Sequence, residues 1–324
     1  MLGTLLFLQF LVAGPENEQT DPRGKGIEDN DYAVFEISQL KCVIGNNKSL
    51  NEHLPGYNGV FAMVSSNDPQ NAYVPSYSGI NLEHFFDATP RNPDPKVFFE
   101  PRYAPMLFKK LSPTTAELHQ PPTPVYQVES WTSFQLTEPY YIDISFRCIP
   151  RANTFAGGFM GIFWASYINA PEDKSIYFLG PGATLELPKW LQLCTQQHNH
   201  FSSVLGEKDI GPANFPELPP VLWNQISPLK YSIPFFYGRV RDMVIIYLFE
   251  PNPYLRFAHS PSGGGPSSDG TDTNPAWDFQ LVIPHYEPQQ EYLLKLRVVY
   301  KRWLGREDVL QEVKKYYRTI GTAE

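Results

Sequence analysis

The chain has 324 residues, 42% hydrophobic, 15% aromatic and only 19% charged, with 32 prolines against 22 glycines and a formal net charge of -8. This is the profile of a rigid, turn-rich β protein with enough apolar residues for a sizeable core, and it excludes a largely disordered chain. No Lys/Arg stripe is present to neutralise phosphates, so a nucleic-acid partner is excluded and a neutral ligand is expected.

Residues 5–13 form an apolar run too short to span a bilayer, similar to the core of a secretory signal but without a basic start. Export and retention in the cytoplasm both stay open. No other segment reads as a membrane span. Residues 15–34 are polar, so residues 1–31 are expected to be a leader and linker, and residues 32–324 one β domain.

From Tyr32 onward, short apolar runs alternate with Pro, Gly, Asn and Asp: YAVFEISQLKCVIG, NGVFAMVS, KVFFE, APMLFKKL, TTAELHQ, SWTSFQL, YYIDISFRCI and FMGIFWASYI. Each reads as a strand bounded by turn residues. In YYIDISFRCI, Ile142, Ile144, Phe146 and Cys148 alternate with Tyr141, Asp143, Ser145 and Arg147, which predicts one core face and one wet face. Residues 205–231 carry five prolines and residues 259–277 are rich in Gly, Ser, Pro and Asp; both are expected to be long loops. DMVIIYLFE, YLRFAHS, WDFQLVIP and a long strand over residues 291–303 follow. Only then does a helical period appear, with Val309, Leu310, Val313 and Tyr316 or Tyr317 three or four apart behind an acidic first turn. The expected fold is all-β: a large antiparallel β-sandwich with long loops and one C-terminal helix.

Several chemistries are absent from the spelling. Cys42, Cys148 and Cys194 make no CxxC pair, so neither a zinc ribbon nor a disulfide framework is written. No GxSxG elbow occurs, and Gly263 to Gly265 lack the Lys-Ser/Thr ending of a phosphate loop.

What remains is acid/base chemistry beside aromatic rings. Residues 117–131, ELHQPPTPVYQVESW, suit neither a helix nor an uninterrupted strand, because proline fixes φ and donates no hydrogen bond. They read as a proline-braced corner presenting His119, Gln120, Glu129 and Trp131, with the indole expected to raise the Glu129 pKa by excluding water. The competing reading is a stiff strand connection. His198 and His200 would share one side of an extended backbone, as hydrogen-bonding groups or as ligands for a divalent metal ion. Arg102 is a candidate clamp for a substrate carboxylate or a partner for Glu100. Trp164 and Tyr167 are candidate sugar platforms, and the loop after His259 could bring that residue to a cleft. Glu83, Asp87, Asp143 and Asp278 complete the carboxylates that stand near aromatics.

The strand series SWTSFQL, YYIDISFRCIP, GGFMGIFWASY and EYLLKLRVVYKRW resembles the galactose mutarotase-like β-supersandwich superfamily of carbohydrate-active proteins, over about residues 80–303. The chain is also similar to uncharacterised bacterial proteins with an ELHQPPTP, ESWT and FWASYI series. The superfamily resemblance implies a supersandwich and a histidine and glutamate acting as acid and base. The matching residue types are His119, His198 or His200, and Glu129. The expectation is a carbohydrate-active enzyme performing epimerisation, elimination or glycoside cleavage. A sugar-binding module without chemistry and a structural β-domain are the alternatives. The enzyme and the binding module both require His119, Glu129, Trp164, His198 and His200 to converge on one cleft.

Overall fold

The computed structural model describes residues 30–212 and 218–321. The apolar run at residues 5–13 lies outside them. In chain order the elements are β1 (Tyr32–Glu36), β2 (Leu40–Gly45), β3 (Gly59–Ser65), β4 (Asn81–Phe86), α1 (Pro95–Phe98), α2 (Glu100–Tyr103), β5 (Leu107–Ser112) and β6 (Thr115–Gln120). Then follow β7 (Val128–Thr137), β8 (Tyr141–Pro150), β9 (Phe159–Ala165), β10 (Ile176–Leu179), β11 (Trp190–Leu193) and β12 (Ser203–Gly206). The chain closes with β13 (Ile226–Tyr231), β14 (Phe235–Val240), β15 (Met243–Phe249), β16 (Leu255–Ser260), β17 (Ala276–Pro284), β18 (Tyr292–Arg302) and α3 (Arg306–Thr319).

The strands make three sheets: β1-β2-β3, a nine-stranded antiparallel sheet β11-β10-β14-β15-β18-β8-β7-β6-β5, and a six-stranded sheet β13-β12-β16-β17-β9-β4. The molecule is an all-β sandwich with a C-terminal helix. Its main apolar cluster lies between the two large sheets, where Ile144 and Phe146 of β8, Leu296 and Val298 of β18, and Ile245 and Tyr247 of β15 meet Ile162 and Trp164 of β9 and Trp277, Phe279 and Leu281 of β17. These positions alternate along each strand, as a period of two requires.

Most expected strands form, and the β8 alternation holds at Ile142, Ile144, Phe146 and Cys148, all buried. Tyr141 is buried too, against expectation, because α3 packs on the outer face of the nine-stranded sheet through Val309, Val313, Tyr316 and Tyr317. Glu312 of α3 accepts from the Tyr140 and Tyr141 hydroxyls at 3.0 and 2.9 Å and from Lys301 at 2.9 Å, which ties the helix to β8 and β18. KVFFE is not a strand. Asp94 accepts from the Lys96 amide at 2.9 Å and Pro95 opens the first turn, so cap and proline start α1 there. Within the stretch expected to be loop, residues 205–231, the chain instead forms the end of β12, a 3-10 turn at Leu222–Asn224, and β13.

The sheets interlock at one narrow point. Trp277 is fully buried, and its ring occupies the space above Gly238 of β14, where a Cβ would come within 2.2 Å of a ring carbon. Truncating the ring leaves a cavity, and adding a methyl group at Gly238 overfills the same space. In urea denaturation Trp277→Ala is expected to cost about 3–5 kcal/mol and Gly238→Ala about 1–3 kcal/mol.

Candidate functional site

The six-stranded sheet carries polar groups on the face turned away from the nine-stranded sheet. Trp277 and Phe279 point inward, so Ala276, Asp278 and Gln280 point outward; beside them on β16, Arg256, Ala258 and Ser260 do the same. On β4 the register shifts between Leu82 and His84, a bulge that re-aims Glu83 so that it stands beside His84 on this face.

Glu83 is 5% exposed. Its Oε1 accepts from the Arg102 guanidinium at 3.1 Å and from the Tyr167 hydroxyl at 2.5 Å. Its Oε2 faces His84 Nε2 at 3.8 Å. His84 Nδ1 donates to the Phe98 carbonyl at 2.7 Å, and burial among Phe98, Phe99, Phe163 and Trp223 lowers its pKa to about 4. The ring is therefore neutral near pH 7, with the lone pair of Nε2 toward Glu83. Arg102 also lies 3.8 Å from the Tyr57 ring, and Tyr57, Tyr77 and Tyr167 form an aromatic cluster with centroids 4.6 to 5.7 Å apart.

Asp278 is fully buried. Burial pushes its pKa well above the carboxylate range, and the nearby Glu83 charge pushes the same way. Oδ1 accepts the Ser166 amide at 3.0 Å, which places the proton of the acid form on Oδ2. Among the described residues that Oδ2 has no partner, nor do Gln280 Oε1 and Arg256 Nη1 on the same face. Buried polar atoms are normally paired, so three orphans on one sheet face mark a place for a polar ligand or ordered water. At the rim, His198 Nδ1 lies 2.7 Å from the Ser260 hydroxyl. Arg91 stands 4.1 Å over the Phe98 ring, which in turn meets His84.

The residues expected from sequence divide among several places. Arg102 and Tyr167 belong to the Glu83 cluster; Arg102 pairs with Glu83 rather than Glu100. Glu100 instead accepts the Val125 and Tyr126 amides and so holds the proline corner from below. That corner lies on the nine-stranded sheet, apart from His198. There Leu107, His119, Trp131, Arg147 and Leu293 stand side by side in register across five strands. His119 stacks on Trp131 at 4.8 Å and Arg147 lies 3.5 Å over the same indole. Because β6 and β8 flank β7 on opposite sides, both faces of Trp131 are covered, so it offers no open face to a sugar. Glu129 is bonded by His119 at 2.8 Å and by Arg151; burial raises its pKa, but these bonds outweigh burial and hold it below the usual range, the reverse of the expected direction.

Gln120 is buried and donates to the Pro101 carbonyl at 2.8 Å. Trp164, 2% exposed, stacks on Phe279 between the sheets and is core rather than platform. His259 is likewise structural: Nε2 donates to the Lys174 carbonyl and Nδ1 accepts from the Thr195 hydroxyl, each at 2.8 Å. At Asn199 the backbone turns through φ 59°, so His198 and His200 are not alternate residues of an extended segment; His200 packs beside Phe201. Among the described residues no group of three or more His, Cys, Asp or Glu is placed to hold a metal ion, and no helix is long and apolar enough to cross a membrane.

Glu83 is visible in the sequence as a carboxylate beside aromatics, but His84 is not singled out there, and the bulge breaks the period-two signal of NLEHFF. A buried strand with one extra residue reads as a loop.

Burial lowers the His259 pKa to about 4, from 6.5 in an unfolded chain. The unfolded state thus binds more protons between these values, and the contribution is complete above pH 6.5 and lost as pH falls toward 4. Urea midpoints of the wild type and His259→Gln, compared at pH 7.5 and 4.5, are expected to show the wild type losing about 2–3 kcal/mol relative to the variant.

No protein-family model matches this chain, and no curated protein matches it. Its backbone is similar to that of a protein assigned as an aldose 1-epimerase from Escherichia coli K12, with a TM-score of 0.47 and 9% identity over 84% of this chain and 99% of that one. It is also similar to a GalM/aldose epimerase homologue from C. elegans, with a TM-score of 0.45 and 8% identity over 84% and 99% of the two chains. A heparan sulfate lyase from Pedobacter heparinus gives 0.43 and 11% over 86% of this chain, which spans only 36% of the lyase.

Proposed function

We propose that this chain is a carbohydrate-active protein, and that it performs acid/base chemistry (epimerisation, elimination or glycoside cleavage) on the outer face of the six-stranded sheet. The observation that carries this reading is Asp278: a buried carboxyl group with one unpartnered oxygen, pushed toward its acid form by burial, on the same face as a carboxyl group bound by an arginine and a tyrosine. A buried carboxyl group with a free oxygen and a second carboxyl group held by an arginine and a tyrosine are the elements of an acid and a base. Glu83, through Oε2, is the base; Asp278, through Oδ2, is the acid. Arg102 and Tyr167 orient Glu83. Tyr57 and Tyr77 at the rim, half-buried beside Arg102, suit the apolar face of a sugar ring.

Recognition without turnover is the second reading. It is favoured by the burial of Glu83 and Asp278, 5% and 0% exposed, which keeps both carboxyl groups from a ligand held at the surface.

A panel of mono- and oligosaccharides screened for turnover and for binding separates the two. Glu83→Gln and Asp278→Asn are each expected to lower kcat by about 10²–10⁴-fold with binding retained. A wild type that binds a glycan at micromolar affinity without converting any would favour recognition alone. No binding and no turnover across the panel would remove the carbohydrate reading.

A further inference from the structure

A concavity with Asp209, the partner of Arg256, in its wall lies outside the Glu83 cluster. A cavity of about 960 Å³ opens where α3 crosses the loops that join the two large sheets, with Leu185, Ile233, Pro234, Pro251, Pro253 and Tyr317 in its wall. Its volume lies within the range that holds small ligands, roughly 300–1,000 Å³. The three prolines bring no N–H group. The wall hydroxyls are already engaged: Tyr231 donates to the Leu255 carbonyl at 2.7 Å and Tyr317 to the Phe249 carbonyl at 3.2 Å. Such a wall accepts an apolar body and offers little to a polar one.

Charge gathers on one side. Of the acids at the cavity, Glu186 pairs with Lys314 at 3.0 Å and Asp209 with the buried Arg256 at 2.7 Å, while Glu207 adjoins Lys208 in the chain. A second recess of about 460 Å³ shares Lys314 and Arg318 with the cavity and adds Gln311, Lys315 and Thr319, with no acid in its lining. Of these cations Lys314 is paired with Glu186 and Lys315 donates to the Tyr141 hydroxyl at 2.6 Å, so Arg318 is the one without an ion pair among the described residues, and its full charge exceeds the roughly half unit of negative charge at the end of α3.

We propose that these adjacent recesses bind an amphipathic anion: an apolar chain or ring system in the larger one and a single carboxylate or sulfonate head against Arg318, with Lys314 and Lys315 beside it. Each methylene taken into the cavity strengthens binding roughly fourfold, so a chain of moderate length binds well. The head selects an anion over the matching alcohol. The site is independent of the carbohydrate reading.

The full chain is titrated with 8-anilinonaphthalene-1-sulfonate, and the bound dye is then displaced with dodecanoate or with dodecanol. The expected result is saturable binding near one dye per chain, with dodecanoate at least tenfold more effective than dodecanol. Arg318 is exposed and outside the Glu83 cluster, so Arg318→Glu should erase that preference with the melting temperature and any glycan binding unchanged. Where Arg318→Glu lowers the melting temperature, Arg318→Gln carries the reading, with a smaller loss in the same direction. Absence of saturable dye binding, equal displacement by acid and alcohol, or an undiminished preference in the Arg318 variant would each overturn the proposal.

Discussion

The placement of Trp277 governs the arrangement of the polar face. Its ring fits above Gly238 on the opposite sheet, and its Nε1 donates to the Lys174 carbonyl at 2.8 Å, the same oxygen that His259 uses. A strand residue anchored inward forces both neighbours outward, and a slip of one residue would exchange the faces. Asp278 is therefore sent to the outer face by the tryptophan beside it. The same alternation carries Gln280 outward, and pairing with β16 brings Arg256 and Ala258 alongside.

That outer face is unlike an ordinary solvated sheet surface. It combines apolar covering, from Phe86, Phe163 and Trp223, with a buried acid, a buried glutamate and a neutral histidine. Burying such groups is unfavourable unless each finds a partner. Glu83 does so through Arg102 and Tyr167, whereas Asp278 does so only at one oxygen. A structural role would account for the first arrangement alone. The unpartnered oxygen, close enough to Glu83 to feel its charge, is what the proposed acid role rests on.

The nine-stranded sheet disposes of its outer face in two ways. Over β10, β14, β15 and β18 it is covered by α3, whose Glu312 binds Lys301 and two tyrosines. Over β5 to β8 it is left open and fills its surface with side chains stacked across strands, His119 on Trp131 and Arg147 over the same ring. Cross-strand stacking of this kind stabilises a sheet but uses the ring faces that a sugar would need. The corner of three prolines is thus rigid for the sake of packing, held by the Glu100 carboxylate beneath it.

The fold class was determined by the sequence alone: short apolar runs between prolines and glycines, the alternation of β8, and one late helical period suffice, because a buried face imposes its own period on the chain. Arg102 is singled out in the sequence as a substrate clamp or partner of Glu100 and Tyr167 as a sugar platform; both instead bind Glu83. The tertiary structure decided the rest. It moved His119, Glu129 and Trp131 to a different sheet from His198, buried Trp164 and His259, and brought Glu83 and His84 from a bulged strand to Asp278 nearly two hundred residues later. The physical reason is that a site is made by the order in which strands pair, β4 against β9 and β9 against β17, and long-range pairing leaves no local pattern in the residues it joins.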